Sequence, residues 1–323
     1  MIFQQRKSCF QNVLGLLTAF LMMACSSESE LLPEEMPDEE SAPSSEAVKV
    51  VSVSADDIMS GNGDSRSTFS LEDDRLKFSW TEGDQIGVCP SSGTQIAFTI
   101  KSGAGNNTAK FDGGAWELRE TETYAAYYPY DVDNTAKGNT QLGFSYEGQC
   151  QTGNASLAHL GEYDWMATDA TRAVDKVLNF QFEHLNSVAQ FRLTIPVATV
   201  FTKLTLRCEE PIFTKTAQLD LSGEEYVYES VETTGQLSME LKEITSTEER
   251  KELLLYMTLP PVDMTGKKVY VVLHSNNNKV FQGLLDSKEL KAGFAYSLAA
   301  TMVDVTMSST VASPNFGTSD KEI

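Results

Sequence analysis

Short runs of alternating apolar and polar side chains are what most limit the fold of this chain. Leu178-Asn179-Phe180-Gln181-Phe182 alternates without a break, and Val188–Ile195 and Lys203–Cys208 do the same. A period of two places one set of side chains on each face of a strand and cannot give a helix an apolar stripe. Leu76–Trp80, Gln85–Cys89 and Gln95–Lys101 alternate too. Further strand candidates are Ala47–Ser54, rich in β-branched residues, Ala109–Trp116, a short strand and turn, the aromatic Thr123–Tyr130, and Ala217–Leu221, Gly235–Leu241, Glu252–Leu259, Lys268–His274, Val280–Leu284 and Phe294–Val305. Turn-forming stretches such as Gly61-Asn62-Gly63-Asp64, Glu82-Gly83-Asp84 and Asp112-Gly113-Gly114 punctuate the runs. Helical hints are confined to Ser156–Leu160 and Thr247–Lys251, and no repeat of fixed period is visible. Many short strands between turns predict an all-β sandwich or barrel. The 323 residues suggest two domains, at roughly 100–200 residues each. The boundaries fall at 47–182 and 183–305, with a polar tail over 306–323.

The N-terminus reads differently. Arg6 and Lys7 precede an almost purely apolar run, Val13–Ala24, which is too short to span a bilayer. Residues 1–24 are read as a secretory signal. Ala24-Cys25-Ser26 looks like a bacterial lipobox, so Cys25 is predicted to carry acyl chains such as palmitate. Residues 25–46 then form an acidic, proline-containing tether, which is predicted to be disordered. The whole chain carries a formal charge of −21, which argues against nucleic acid as a partner. Beyond Cys9 and Cys25, only Cys89, Cys150 and Cys208 remain. An odd number without CxxC spacing is neither a disulfide framework nor a zinc site.

No catalytic constellation emerges. The three histidines, His159, His184 and His274, form no HExxH motif. Gly143–Gly148 misses the G-x-S-x-G spacing, and the Asp131 stretch lacks the glycine and glutamate of a calcium loop. No cofactor is predicted. Trp116, Tyr128 and Trp165 are aromatic candidates for stacking on sugars, which would make the chain a surface glycan-binding lipoprotein. The competing reading places them in the core.

Four stretches carry a family resemblance. They are Phe78-Ser79-Trp80-Thr81-Glu82-Gly83-Asp84-Gln85-Ile86-Gly87-Val88, Tyr127-Tyr128-Pro129-Tyr130, Phe182–Phe191 with its F-x-H start, and Lys291–Leu298. In this order and spacing the chain resembles the Bacteroidetes fimbrillins, the Mfa-like and FimA-like subunits of type V pili. The resemblance implies two tandem Greek-key, transthyretin-like β-sandwiches and a structural, adhesive role without enzyme activity. It implies a lipoprotein precursor sent to the outer membrane, partnered by other fimbrillin subunits and by surface ligands. It also implies that an arginine-specific protease removes the first strand, so that a strand from another subunit can fill the slot. Here the first strand would hold Val48, Val50, Val51 and Val53. Arg66, among Gly, Asn, Asp and Ser, is the expected cut, with Arg75 as runner-up. Val303, Val305 and Met307, on one face by period two, form the candidate donor strand.

Overall fold

The computed structural model describes residues 49–53, 68–72, 75–114, 116–248 and 251–306. The expected sites at Cys25, Val48, Arg66 and Met307 lie outside them, as do the signal and the tether. Within them the chain is nearly all β, as the alternation predicts. In the first half the strands are β1 (Lys49–Val53), β2 (Thr68–Glu72), β3 (Arg75–Ser79), β4 (Gln85–Pro90), β5 (Ile96–Ser102), β6 (Thr108–Asp112), β7 (Thr123–Tyr128), β8 (Leu142–Ser145), β9 (Cys150–Thr152), β10 (Met166–Ala167), β11 (Thr171–Arg172) and β12 (Val177–Gln181). Then come β13 (Glu183–His184), β14 (Ser187–Thr194), β15 (Thr199–Arg207), β16 (Phe213–Asp220), β17 (Val227–Thr234), β18 (Gln236–Ser246) and β19 (Glu252–Leu259). The last are β20 (Val262–Asp263), β21 (Tyr270–Ser275), β22 (Val280–Leu284), β23 (Glu289–Leu290), β24 (Ala295–Thr301) and β25 (Val303–Asp304).

The first half centres on one sheet of order β12-β1-β6-β5-β4-β7-β10-β13, with β11 also paired to β7. A two-residue turn at Asp175 and Lys176, both at positive φ, joins β11 to β12. The strand at the end of the sheet is thus tied back to one paired near its middle, and the sheet curls on itself. The β2–β3 hairpin lays Phe69, Leu76 and Phe78 on the core that this sheet encloses. Trp80 is the centre of that core at 0% exposure, with edge-to-face contacts to Phe78, Phe111, Tyr128 and Phe182. The turn after it explains the motif. Gly83 sits at φ +89°, and buried Asp84 accepts from the Thr81 amide at 2.7 Å and from the Tyr128 hydroxyl at 3.0 Å.

In the second half, a three-stranded sheet β19-β14-β24 and a six-stranded sheet β25-β22-β21-β15-β18-β9 share another core, among them Phe191, Leu255, Leu204, Leu273 and Phe281. The 182/183 boundary does not separate closed sets of strands. β8 pairs with β16 and β9 with β18, and the Tyr146 hydroxyl meets Asn186 and Tyr228.

Three sequence expectations change. Phe294–Val305 is two strands: β24 pairs with β14, and after Met302 the chain crosses to β22 as β25. The helical hint at Ser156–Leu160 gives way to a single 3-10 turn at Leu160–Glu162. At the other hint, residues 247 and 248 are not helical.

Candidate functional site

The first strand occupies an internal position. β1 lies between β12, to which it runs parallel, and β6, to which it runs antiparallel. Val50 is in register with Leu178 and Phe111, Val51 with Asn179 and Lys110, and Val53 with Gln181 and Thr108. The flanking strands show why an alternating segment fits. Ala109, Phe111, Leu178 and Phe180 are buried, whereas Thr108, Lys110, Asn179 and Gln181 are exposed. Trp80 stands beneath, its ring centroid 5.0 Å from that of Phe111. Taking β1 away would leave two facing rows of backbone N–H and C=O groups above an apolar floor, the combination that an added strand satisfies.

The other predicted residues are scattered. Arg75 opens β3 in register with Glu72 of β2, within a paired ribbon. Val303 and Val305 are 57% and 42% exposed, at the outer edge of the chain's own six-stranded sheet. Val303 is in register with Gln282, the Val305 amide donates to the Val280 carbonyl at 2.8 Å, and Asp304 pairs with Lys279 at 3.5 Å. The sugar-stacking expectation is corrected for two of its three rings. Tyr128 is 1% exposed and packed edge-on against Phe78 and Trp80, and Trp165 is 3% exposed and stacked on Phe144 at 4.5 Å. Neither presents a face to a ligand. Trp116 is half-buried between Phe98 and Tyr124.

The titratable groups serve the scaffold. His184 Nδ1 meets Asp164 Oδ1 at 2.6 Å. Burial opposes charging of His184, but the carboxylate outweighs it and holds the imidazole above its ordinary range. Burial pushes the Cys89 thiol up to about 12, so it is not a thiolate nucleophile. Among the described residues no group of three or more His, Cys, Asp or Glu side chains could hold a metal ion, and no helix is long and apolar enough to cross a membrane.

Sequence reasoning found the first strand but not its berth. The floor residues Ala109, Phe111, Leu178 and Phe180 sit in segments already legible as strands. Their joint flanking of β1 rests on a parallel pairing across more than a hundred residues, which leaves no local signal.

The fold defines an all-β sandwich protein whose first described strand is held between two others. A family model described as fimbrillin-like matches residues 67–313, and the chain belongs to that family. Among solved structures, it is similar to a candidate cell adhesion protein from Bacteroides ovatus ATCC 8483, at 16% identity and a TM-score of 0.49, over 80% of this chain and 96% of that one. A candidate cell adhesion protein from Bacteroides uniformis ATCC 8492 matches at 12% and 0.48, over 83% and 100% of the chains. The tip fimbrial protein Mfa3 from Porphyromonas gingivalis, with a C-terminal truncation, matches at 11% and 0.34, over 80% and 99%. No curated protein matches the sequence.

Proposed function

We propose that this chain is a subunit of a cell-surface fimbria and that it joins its neighbours by strand exchange at the berth of β1. Membership of the fimbrillin-like family supports the fimbrial role. The position of β1 carries the mechanism: it is the chain's first described strand, yet it is inserted between β6 and β12 rather than added at an edge. Cys25 anchors the precursor to the outer membrane by its acyl chains. Cleavage after Arg66, between β1 and β2 in the sequence, frees β1 from covalent attachment to the body. Arg75 is the poorer site, since a protease needs an extended, unpaired segment and Arg75 is in a paired ribbon. An alternating strand from a second subunit then takes the berth, remaking the same backbone bonds. Val303, Val305 and the residues after them supply it. Contacts of this head-to-tail kind do not close and so extend as a filament.

The test uses the chain lacking residues 1–24, cut by limited trypsin. Cutting should yield a stable core beginning at Ser67 and, on incubation, a ladder of multimers that survives mild denaturant. Arg66→Ala should stay monomeric under the same treatment. A cut protein that has lost β1 and still shows no multimers would sink the mechanism. A core beginning at Leu76 would move the processing site to Arg75.

A further inference from the structure

Among the described strands β19 has a partner on one side only, β14, so its other edge should offer a row of bare backbone groups. It does not. The outward amides and carbonyls of Leu254, Tyr256 and Thr258 are all taken, almost entirely by side chains of the segment around β9. Gln149 pairs with both backbone groups of Thr258, its Nε2 donating to the carbonyl and its Oε1 accepting from the amide, each at 2.8 Å. Gln151 Oε1 accepts from the Tyr256 amide at 2.7 Å, and its Nε2 donates to the Leu254 carbonyl at 3.1 Å. Asn154 Oδ1 accepts from the Leu254 amide at 2.9 Å, and His159 Nε2 meets the Tyr256 carbonyl at 2.9 Å. One main-chain group joins them, the Ala155 amide on the Leu254 carbonyl at 3.0 Å.

A primary amide offers a donor and an acceptor in the same geometry as a peptide unit. Gln149 stands just before β9 and Gln151 within it; two apart, their side chains both reach β19 and present two such units at strand spacing. Meanwhile the backbone of β9 pairs in parallel with β18, Glu240 opposite Cys150 and Lys242 opposite Thr152. The segment is therefore a strand to one sheet and, through its side chains, a substitute strand to the other.

We infer that Gln149, Gln151 and Asn154 form an edge guard, which closes β19 to strand pairing with a second copy of this chain. The second copy is the occupant to expect. β19 carries Leu253, Leu254, Leu255, Met257 and Leu259 with no charge beyond Glu252. Two identical antiparallel edges are self-complementary about a two-fold axis, and an unguarded edge of this composition is a pairing hazard. The guard leaves head-to-tail addition without a competing, self-closing dimer. That last clause alone rests on the strand-exchange reading.

The experiment compares the chain lacking residues 1–24 with its Gln149→Asn/Gln151→Asn variant, which keeps the amides but shortens their reach by one methylene each. Amide hydrogen exchange is read residue by residue, and molar mass by light scattering. In the parent protein Leu254, Tyr256 and Thr258 should exchange as slowly as Leu253, Leu255 and Met257, which face β14, and the mass should be monomeric. In the variant the Tyr256 and Thr258 amides should exchange at least about tenfold faster, with the Leu254 amide, held by Asn154, and the β14-facing ones still slow, and dimers should form as concentration rises. If these two speed up while the mass stays monomeric, the side-chain amides join the two sheets and guard nothing. If these two do not speed up, the pairing itself is overturned. Should the double variant fail to fold, Gln151→Asn alone decides by the same two readouts. Neither involves β1 or its cleavage, so failure here leaves the strand-exchange reading standing, and the reverse holds as well.

Discussion

The berth of β1 and the edge of β19 solve one problem in opposite ways. Both present backbone groups that must be paired and an apolar core that must be covered. At β1 the partner is another backbone, five residues long, in register with β6 and β12. At β19 the partner is a set of side chains from Gln149 to His159. A backbone ladder reads little more than alternation, so one strand can be replaced by another at small net cost. Side-chain amides at fixed spacing have no such substitute, and their own backbone is tied into β18. The first arrangement is suited to exchange, the second to permanence.

The largest effect is expected from removing the floor of the exchangeable site. Trp80→Ala takes out a fully buried ring that touches Phe111 on β6 and Phe182 just past β12. A loss of about 3–5 kcal/mol is expected, read as a lower denaturation midpoint. If the contrast between the two sites holds, exchange of the amides on β6 and β12 should accelerate far more than that of Tyr256 and Thr258. Equal acceleration at both would mean that the two cores unfold as one unit and that the berth has no independent weakness.

A smaller loss is expected at the permanent site. Gln151→Ala leaves the Tyr256 amide and one bond to the Leu254 carbonyl without their partner in a buried setting. The expected destabilisation is about 1–3 kcal/mol, measured by urea unfolding. Gln218→Ala makes a suitable control, because Gln218 bonds the Thr140 carbonyl at an exposed site and should change little. If the two variants lose the same amount, the amides on β19 are ordinary surface bonds and the contrast fails.

The two sites were unequally legible in the sequence. Most long strands show as alternation, Trp80 as an anchor, and Gly83-Asp84 as a turn, because each is set by local chemistry. β1 itself reads plainly, but its neighbours do not, since nothing local links Val50 to Leu178. β9 escaped altogether. Its inward residue is Gln151, so a search for apolar alternation passes over it. The spacing of Gln149, Gln151 and Asn154 is the one available signal, and it gains meaning only beside β19. β17 escaped for the opposite reason: nearly every side chain is exposed, so no burial pattern is imprinted on it. Tyr128 and Trp165 failed as stacking candidates because size and polarity at a strand end suit a core and a ligand site equally, and only packing decides between them.

The smallest effect tests the β19 edge through His159, the titratable side chain that meets the Tyr256 carbonyl beside the guard. Burial pushes the His159 imidazole down to about 4, against the pull of its bond to the Tyr256 carbonyl. The unfolded chain takes up that proton near the ordinary value of about 6.5. Between the two values the unfolded state binds more protons, so stability falls as pH drops through this window. By pH 5.5 the contribution should be about 1.4 kcal/mol. His184 acts elsewhere. Its raised value means the folded state holds the extra proton, so its contribution is present below about 6.5 and is lost as pH rises beyond. The two buried histidines therefore tilt stability in opposite directions on opposite sides of that value. His159→Gln keeps an amide donor for Tyr256 and removes the titration, so its stability should lose less than the parent's between pH 6.5 and 5.5, with the difference measured by paired urea titrations. Carboxylates that titrate in the same range are common to both proteins and cancel. Parallel curves would show that the imidazole takes up its proton in the folded protein as readily as in the unfolded chain, and with it that the β19 edge admits water where the amide guard is drawn closed.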